Sequence, residues 1–382
     1  MRRLATGAAV TLATLGLAFG TLTVPAHAVP GPNGSSEVLA AVGSDTTVDV
    51  MGKLAKRYNK SNTGNPVPRD KVKNVPPILP SGGSYAVPGD AVCGPVTYSN
   101  PGNPPPNGSS SGISALVADS TGCVDFARSS RGRSPSDPVS LDFYAYAKDA
   151  LSWGRFPDAC PGGDTLKPGC APGNLTVDQI RGIFNCTEPG GVPLYTNWIQ
   201  VGGDDEPIVR FLPQRGSGTV SFFETKILGL SSAQQGVLDD TACAVRPTYL
   251  QEHDATGVPA AQKSKAILAF GFAKWTQMIN NLSPDLRAGV KLGKINSVKA
   301  STQTISDNTF FGTRYIYNVT KTSSPSFNDV LRFVGVDATG NGYICSGAES
   351  NNLILYGETP LTQAPAGPGL PNSFCRKNPT PI

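Results

Sequence analysis

The sequence predicts an α/β protein of two lobes, and three observations carry that expectation. Short apolar runs of strand character alternate with helical stripes along most of the chain. A mature length of about 350 residues exceeds what one hydrophobic core normally holds. Loops of glycine, serine and threonine repeatedly separate a strand from a helix, and in open α/β sheets ligands gather at the carboxyl ends of strands.

The N-terminus reads first as an address. Arg2 and Arg3 precede an apolar stretch, Ala8 to Leu22, and Ala26-His27-Ala28 has the small-residue pattern of a cleavage site. Residues 1–28 are therefore expected to be a secretory signal peptide and the mature chain an exported, soluble one, extracellular or wall-associated, or periplasmic if an outer membrane is present. No cysteine lies beside the cleavage point, so no lipid anchor is expected there.

Val38-Leu39-Ala40-Ala41-Val42 reads as a buried strand running into Gly43-Ser44-Asp45-Thr46-Thr47, after which Val50, Leu54 and Tyr58 form a helical stripe. Between Asn59 and Gly112 the prolines forbid long helices. Gly108-Ser109-Ser110-Ser111-Gly112 then precedes a stripe of Ile113, Leu116 and Val117. Cys123 to Ala127 reads as a strand ending in Arg128-Ser129-Ser130, and Phe143 to Ala147 as another. Thr176 caps a helix whose apolar face is Val177, Ile180, Ile183 and Phe184. Pro207 to Phe211 is a strand leading to Arg215-Gly216-Ser217-Gly218-Thr219, followed by Val220, Phe223, Ile227 and Leu228. Ile267–Phe272 and Thr313–Val319 are further strands, the latter by its β-branched and aromatic content.

Backbone N–H groups and hydroxyls at the start of a helix hold a small oxyanion without a metal. Each loop alone reads equally as a plain N-cap. Together they point to one shared anion site, with no cofactor and no metal. The remaining chemistry is sparse. Once His27 leaves, His253 is the one histidine, and it is expected to be a solvated surface residue in Gln251-Glu252-His253-Asp254. Histidine-based hydrolysis and histidine metal sites are thereby disfavoured. The formal charge is +4, and losing Arg2 and Arg3 reduces it further, too little for nucleic-acid binding. Eight cysteines in an exported chain indicate disulfides. The expected pairs are Cys160–Cys170, across a Pro/Gly-rich loop, and Cys345–Cys375, which would tie down the C-terminal tail. Asp337 and Asn341 suggest a calcium loop but lack the terminal acid, so a surface turn is expected.

In order and spacing these pieces resemble the high-affinity phosphate-binding proteins of bacterial phosphate uptake, in the type II periplasmic binding-protein superfamily. The matching pieces are Gly43 to Thr47, Asn107 to Gly112, Val124 to Ser130, Thr176 to Phe184 followed by Trp198, Gly216-Ser217-Gly218-Thr219, and Arg314 to Val319. The resemblance implies two α/β lobes with two hinge crossings, placed here near residues 143–150 and 266–272. Lobe 1 would then hold 29–147 and 270–382, and lobe 2 residues 148–269. It further implies a monomeric, non-enzymatic receptor that closes on phosphate, with sulfate as second candidate and an ABC transporter permease as partner.

The implied anion-binding residues are Ser44, Asp45, Thr46 and Thr47; Ser109, Ser110 and Ser111; Arg128, Ser129 and Ser130; and Arg215, Gly216, Ser217, Gly218 and Thr219. Arg128 reads equally as a surface arginine that ends a strand, Arg215 alternatively as half of a structural ion pair, and Asp45 as a helix-start carboxylate. The chain also departs from the family pattern. Ser130 stands where the family carries an acid, and Pro213 and Arg215 stand where it carries an arginine and an aspartate. A secreted phosphoester hydrolase, and an adhesive protein that keeps the fold without its ligand, are the alternatives from other classes.

Overall fold

The amphipathic stripes and alternating strands assemble around two principal apolar cores. A computed structural model describes residues 38–61, 70–90, 93–160, 170–186, 191–231, 246–335, 342–361 and 375–382. The expected signal peptide and the Asp337–Asn341 turn lie outside them. Among the described residues no helix is long and apolar enough to cross a membrane.

The first unit opens with strand β1 (Val38–Gly43), whose run of apolar residues is buried on both faces. Helix α1 (Val48–Ser61) buries Val50, Met51, Leu54, Ala55 and Tyr58, with Asp49 in its first turn and Lys60 in its last, charges that suit the helix dipole. Among the described residues between α1 and Ser109, the proline-rich stretch forms three short strands and no helix: β2 (Lys71–Asn74), β3 (Ser84–Val87) and β4 (Val96–Ser99). Helix α2 (Ser109–Ala118) and strand β5 (Phe126–Ser129) follow. Strand β6 (Leu141–Arg155) is 15 residues long and buried along nearly its whole length.

The second unit contains β7 (Asn174–Leu175), α3 (Val177–Phe184), β8 (Val209–Pro213), α4 (Gly218–Phe222), β9 (Thr248–Leu250), β10 (Ala266–Gly271) and α5 (Phe272–Ile279). Thr176 caps α3 in a reciprocal capping box with Gln179. Two short strands, β11 (Lys291–Leu292) and β12 (Lys294–Ile295), lead to α6 (Thr302–Ser306) and β13 (Thr313–Lys321). The chain closes with α7 (Phe327–Val334), α8 (Ser350–Leu355), β14 (Thr359–Pro360) and β15 (Arg376–Lys377).

The main sheet runs β2-β1-β5-β13-β6-β10-β8-β9. Strands β2, β1 and β5 are parallel in one half, and β10, β8 and β9 in the other. Between them β13 and β6 run antiparallel. Residues 141–150 of β6 pair with β13 and residues 151–154 with β10, so this one strand carries the chain from the first core to the second.

The second crossing lies elsewhere than expected. Strand β10 stays inside the second half, paired with β6 and β8. After α5 the chain continues to feed the second core, where Ile295, Ala300, Ile305 and Phe310 pack with Trp153, Trp198 and Phe223. It returns to the first sheet only at Thr313, the start of β13. The return is set by those four apolar residues, which have no place in the first core. Helix α5 meanwhile reaches across the junction, with Lys274 paired to Asp49 and the Gln277 amide donating to the Tyr356 carbonyl.

Both expected disulfides, Cys160–Cys170 and Cys345–Cys375, are formed, and Cys93–Cys123 is a further one. The last joins the hairpin arm of β3 and β4 to the segment before β5. A disulfide of this kind stabilises chiefly by restricting the unfolded chain, typically by about 2–4 kcal/mol.

Candidate functional site

Four of the loops expected to carry the site come together at the junction of the two halves. Gly43 has φ 104°, which turns β1 sharply into the Ser44-Asp45-Thr46-Thr47 loop. Gly108 and Gly218 let the other loops pack against one another. A Cβ on Gly108 would lie 2.5 Å from the Gly216 carbonyl, and one on Gly218 would meet the Ser109 and Ser130 hydroxyls. The Ser110 amide donates to the Gly216 carbonyl at 2.9 Å, joining the second loop to the fourth. The Ser130 amide donates to Ser109 Oγ, also at 2.9 Å. Ser44, Thr46, Thr47, Ser109, Ser129, Ser130, Ser217 and Thr219 are all buried, with Asp45 nearly so.

Not every hydroxyl points inward in the same way. Ser217 caps α4 by accepting from the Thr219 and Val220 amides. Ser129 bonds the Arg131 backbone, and Ser110 Oγ accepts from the Arg131 side chain. Ser111 Oγ lies against Gly216. Ser44 Oγ is buried with no hydrogen-bond partner. A groove of about 500 Å³ reaches this junction, lined by Ser110, Ser114 and Arg131 from the first half and Ser221 from the second.

The two arginines singled out in the sequence are placed as struts. The Arg128 guanidinium is fully buried and donates to the carbonyls of Ala41, Gly43, Ser44 and Val75 and to Asn74 Oδ1. Burial pulls its pKa down to about 10, so it stays charged. It holds the first loop in shape from behind. Arg215 turns outward, pairing with Glu224 at 2.7 Å and donating to the Tyr249 hydroxyl, over whose ring it lies. The ion-pair reading of Arg215 matches these contacts, whereas Arg128 is buried and not the surface arginine that its alternative reading expected.

The polar centre of the junction is built by residues that periodicity and spacing did not reveal. His253 is 3% exposed and not a surface residue. It adopts φ 61°, packs edge-on to Phe270, and approaches Thr46 Oγ1 with Nε2 at 3.1 Å. The Gly271 amide donates to His253 Nδ1 at 3.3 Å. A nitrogen that accepts carries no proton, so in the neutral ring the proton sits on Nε2. Glu252, on the same loop, accepts from the Thr46 hydroxyl at 2.7 Å and from the Thr219 hydroxyl. Burial would raise the pKa of this carboxyl, but the hydrogen bonds and charge of His253 and the two hydroxyls outweigh it and hold the pKa below the usual carboxylate range.

Arg314 on β13 completes the cluster. Its Nη1 donates to Thr219 Oγ1 at 3.1 Å and to the Ser130 carbonyl at 3.3 Å. Its Nε and Nη2 clamp Asp149 Oδ2, in an ion pair that is essentially fully buried. Asp149 Oδ1 in turn accepts from the Ala273 amide. A charge-assisted donor is thus held rigidly beside the hydroxyls of Thr219 and Thr46. Burial pushes the Asp45 pKa up, as does the charge of Glu252, while Lys274 opposes them.

One signal for Arg314 and Asp149 was present in the sequence. Each is a charge inside a run of strand residues, Tyr315 to Val319 following one and Tyr144 to Ala147 preceding the other. A charge buried in a sheet needs an opposite partner. Nothing in the spacing of Gln251 to Asp254 gave a comparable signal for Glu252 or His253.

Two α/β halves, joined by central strands and meeting at buried hydroxyl loops, define the architecture of a two-lobed binding protein. Residues 28–335 match the PBP superfamily domain, and the chain belongs to that family. Its fold is similar to an ABC-type phosphate transport receptor from Vibrio cholerae, at 18% identity and TM-score 0.52, covering 84% of this chain and 99% of that one. It is likewise similar to a putative phosphate ABC transporter substrate-binding protein with bound phosphate from Clostridium perfringens. There the identity is 16% and the TM-score 0.54, covering 85% of this chain and 100% of the other.

Proposed function

We propose that the chain is an exported solute-binding protein that holds a small inorganic oxyanion, phosphate first, between its two halves. The observation that carries this reading is the meeting of the Thr46 hydroxyl, from one half, and the Thr219 hydroxyl, from the other, at 3.3 Å, with the buried Arg314 guanidinium donating to Thr219. A tetrahedral anion needs several donors from different directions and one fixed positive charge. The Ser109–Ser130 contact lies beside the same point, since Arg314 also donates to the Ser130 carbonyl and Gly218 packs on both serine hydroxyls. Two solved proteins of similar fold are a phosphate transport receptor and a putative phosphate transporter substrate-binding protein with phosphate bound, which supports the choice of anion. Sulfate is the second candidate, an ABC transporter permease the partner, and a monomer the working unit.

Hinged closure suits the construction. Among the described residues the chain passes between the halves at β6 and at the start of β13, and a few end-of-strand residues there can absorb the motion. A hydrolase is the poorer reading. For Thr46 to act as a nucleophile a base would have to take its proton, and the carboxylate it donates to, Glu252, has its pKa held down to about 2, which makes it a weak base. Calorimetric titration of the mature, oxidised chain with phosphate and with sulfate tests the proposal. One-to-one binding of phosphate supports it, and no heat from either anion, in a chain that unfolds cooperatively, refutes it.

A further inference from the structure

The Glu252 carboxylate stands where an anion held by the Thr46 and Thr219 hydroxyls would have to stand. Its Oε1 accepts from both of them and lies 3.3 Å from His253 Nε2. Thr46 belongs to the first half, and Glu252 and Thr219 to the second, so this one oxygen bridges the junction as a bound anion would. The same hydroxyl protons cannot serve two acceptors at once.

Two further observations bear on whether this carboxylate can leave. Glu252 Oε2 is buried and without a hydrogen-bond partner, so the hydrogen bonds that hold the carboxylate all run through Oε1. The nearby cations are also already matched: Arg314 is paired with Asp149, and Lys274, which reaches Glu252 electrostatically, is paired with Asp49 and lies within reach of Asp45. Adding an anion while Glu252 stays in place would put one more negative charge beside these. Exchanging Glu252 for the anion leaves the local charge nearly unchanged.

We propose that Glu252 is an internal ligand of the site, an autoinhibitory carboxylate that bridges the two halves and must be displaced before an external oxyanion binds. This rests on the anion-binding function proposed above. The 251–254 loop lies between β9 and the segment leading to β10, so Glu252 withdraws by a local movement of that loop. While the Glu252-bound form dominates, the apparent affinity is reduced by the fraction of protein in which the hydroxyls are free.

The test is calorimetric titration of inorganic phosphate into the full oxidised chain, wild type and Glu252→Ala, with Glu252→Gln as the shape-preserving second variant. The expected result is a gain in phosphate affinity of about tenfold or more in Glu252→Ala and a smaller gain in Glu252→Gln. Small-angle scattering without phosphate should show Glu252→Ala more extended than wild type, and compact again when phosphate is added. If Glu252→Ala fails to fold, the Glu252→Gln affinity decides. Unchanged or weaker binding in the variants, with wild-type binding intact, overturns the internal-ligand proposal and leaves the receptor function standing. No binding by wild type or by either folded variant overturns both.

Discussion

The Thr46 hydroxyl donates to the Glu252 carboxylate at 2.7 Å, across the junction between two halves and between residues 206 positions apart. That bond, with its companion from Thr219, places the polar centre of the molecule at the seam and not within either core. Movement of one half relative to the other therefore changes the site directly.

Thr219 connects Arg314 to this centre, and its hydroxyl should be required for anion binding. Thr219→Val is expected to lower phosphate affinity by about tenfold or more, because a hydrogen bond to a charged group contributes about 1.5–3 kcal/mol. Thr219→Ser keeps the hydroxyl and should retain most of the affinity. Titration calorimetry on both variants checks the difference.

Arg215 faces Glu224 and Tyr249, so Arg215→Ala should disturb stability more than binding. Phosphate affinity is expected to change by less than about tenfold, that is, by less than 1.4 kcal/mol. The thermal midpoint should fall, because the Glu224 carboxylate is buried and loses its cation. Parallel melting and binding curves make the comparison.

Glu358 is fully buried with neither carboxyl oxygen bonded. Burial, and then the nearby charge of Asp149, raise its pKa well above the ordinary 4.5, and Arg314 opposes them only in part. A carboxyl raised in the folded state gives stability that is complete below the unfolded value and is lost as pH climbs toward the folded one. Stability should therefore decline above about pH 4.5 through this group. Glu358→Gln removes the titration, so its melting temperature should depend less on pH over that range and exceed wild type at its upper end. Melting series at several pH values test this.

Much of the fold was legible because local pattern and final environment agree. Thr176 with Gln179 announced a helix start, and the apolar run Val38–Val42 announced a strand buried on both faces. The cysteine pairs Cys160–Cys170 and Cys345–Cys375 followed from the segments they close. The return to the first sheet was not legible at 266–272, because an apolar strand looks the same whichever core it joins. Only the later residues Ile295, Ile305 and Phe310, by filling the second core, decide where the chain turns back.

The site divides along similar lines. Serine and threonine loops before helical stripes carry a local signature, and Thr46, Ser109, Ser130 and Thr219 do meet at the junction. Arginine has no such signature, since its role depends on where a long side chain ends. Arg128 ends on four backbone carbonyls and an asparagine, Arg215 on a glutamate and a tyrosine, and Arg314 at the hydroxyl cluster. The place of His253 depends on Gly271, where a Cβ would lie 2.7 Å from the imidazole ring. Its partner loops are distant in sequence, so no short-range pattern reports them.

The most direct measurement is a crystal structure of the mature chain grown with arsenate, a tetrahedral analogue of phosphate, using the anomalous signal of arsenic to place it. The account predicts one arsenic peak between Thr46, Thr219 and Arg314, with the Glu252 carboxylate moved away from both hydroxyls. A peak elsewhere, or none at the junction with Glu252 still bonded to Thr46, would contradict it.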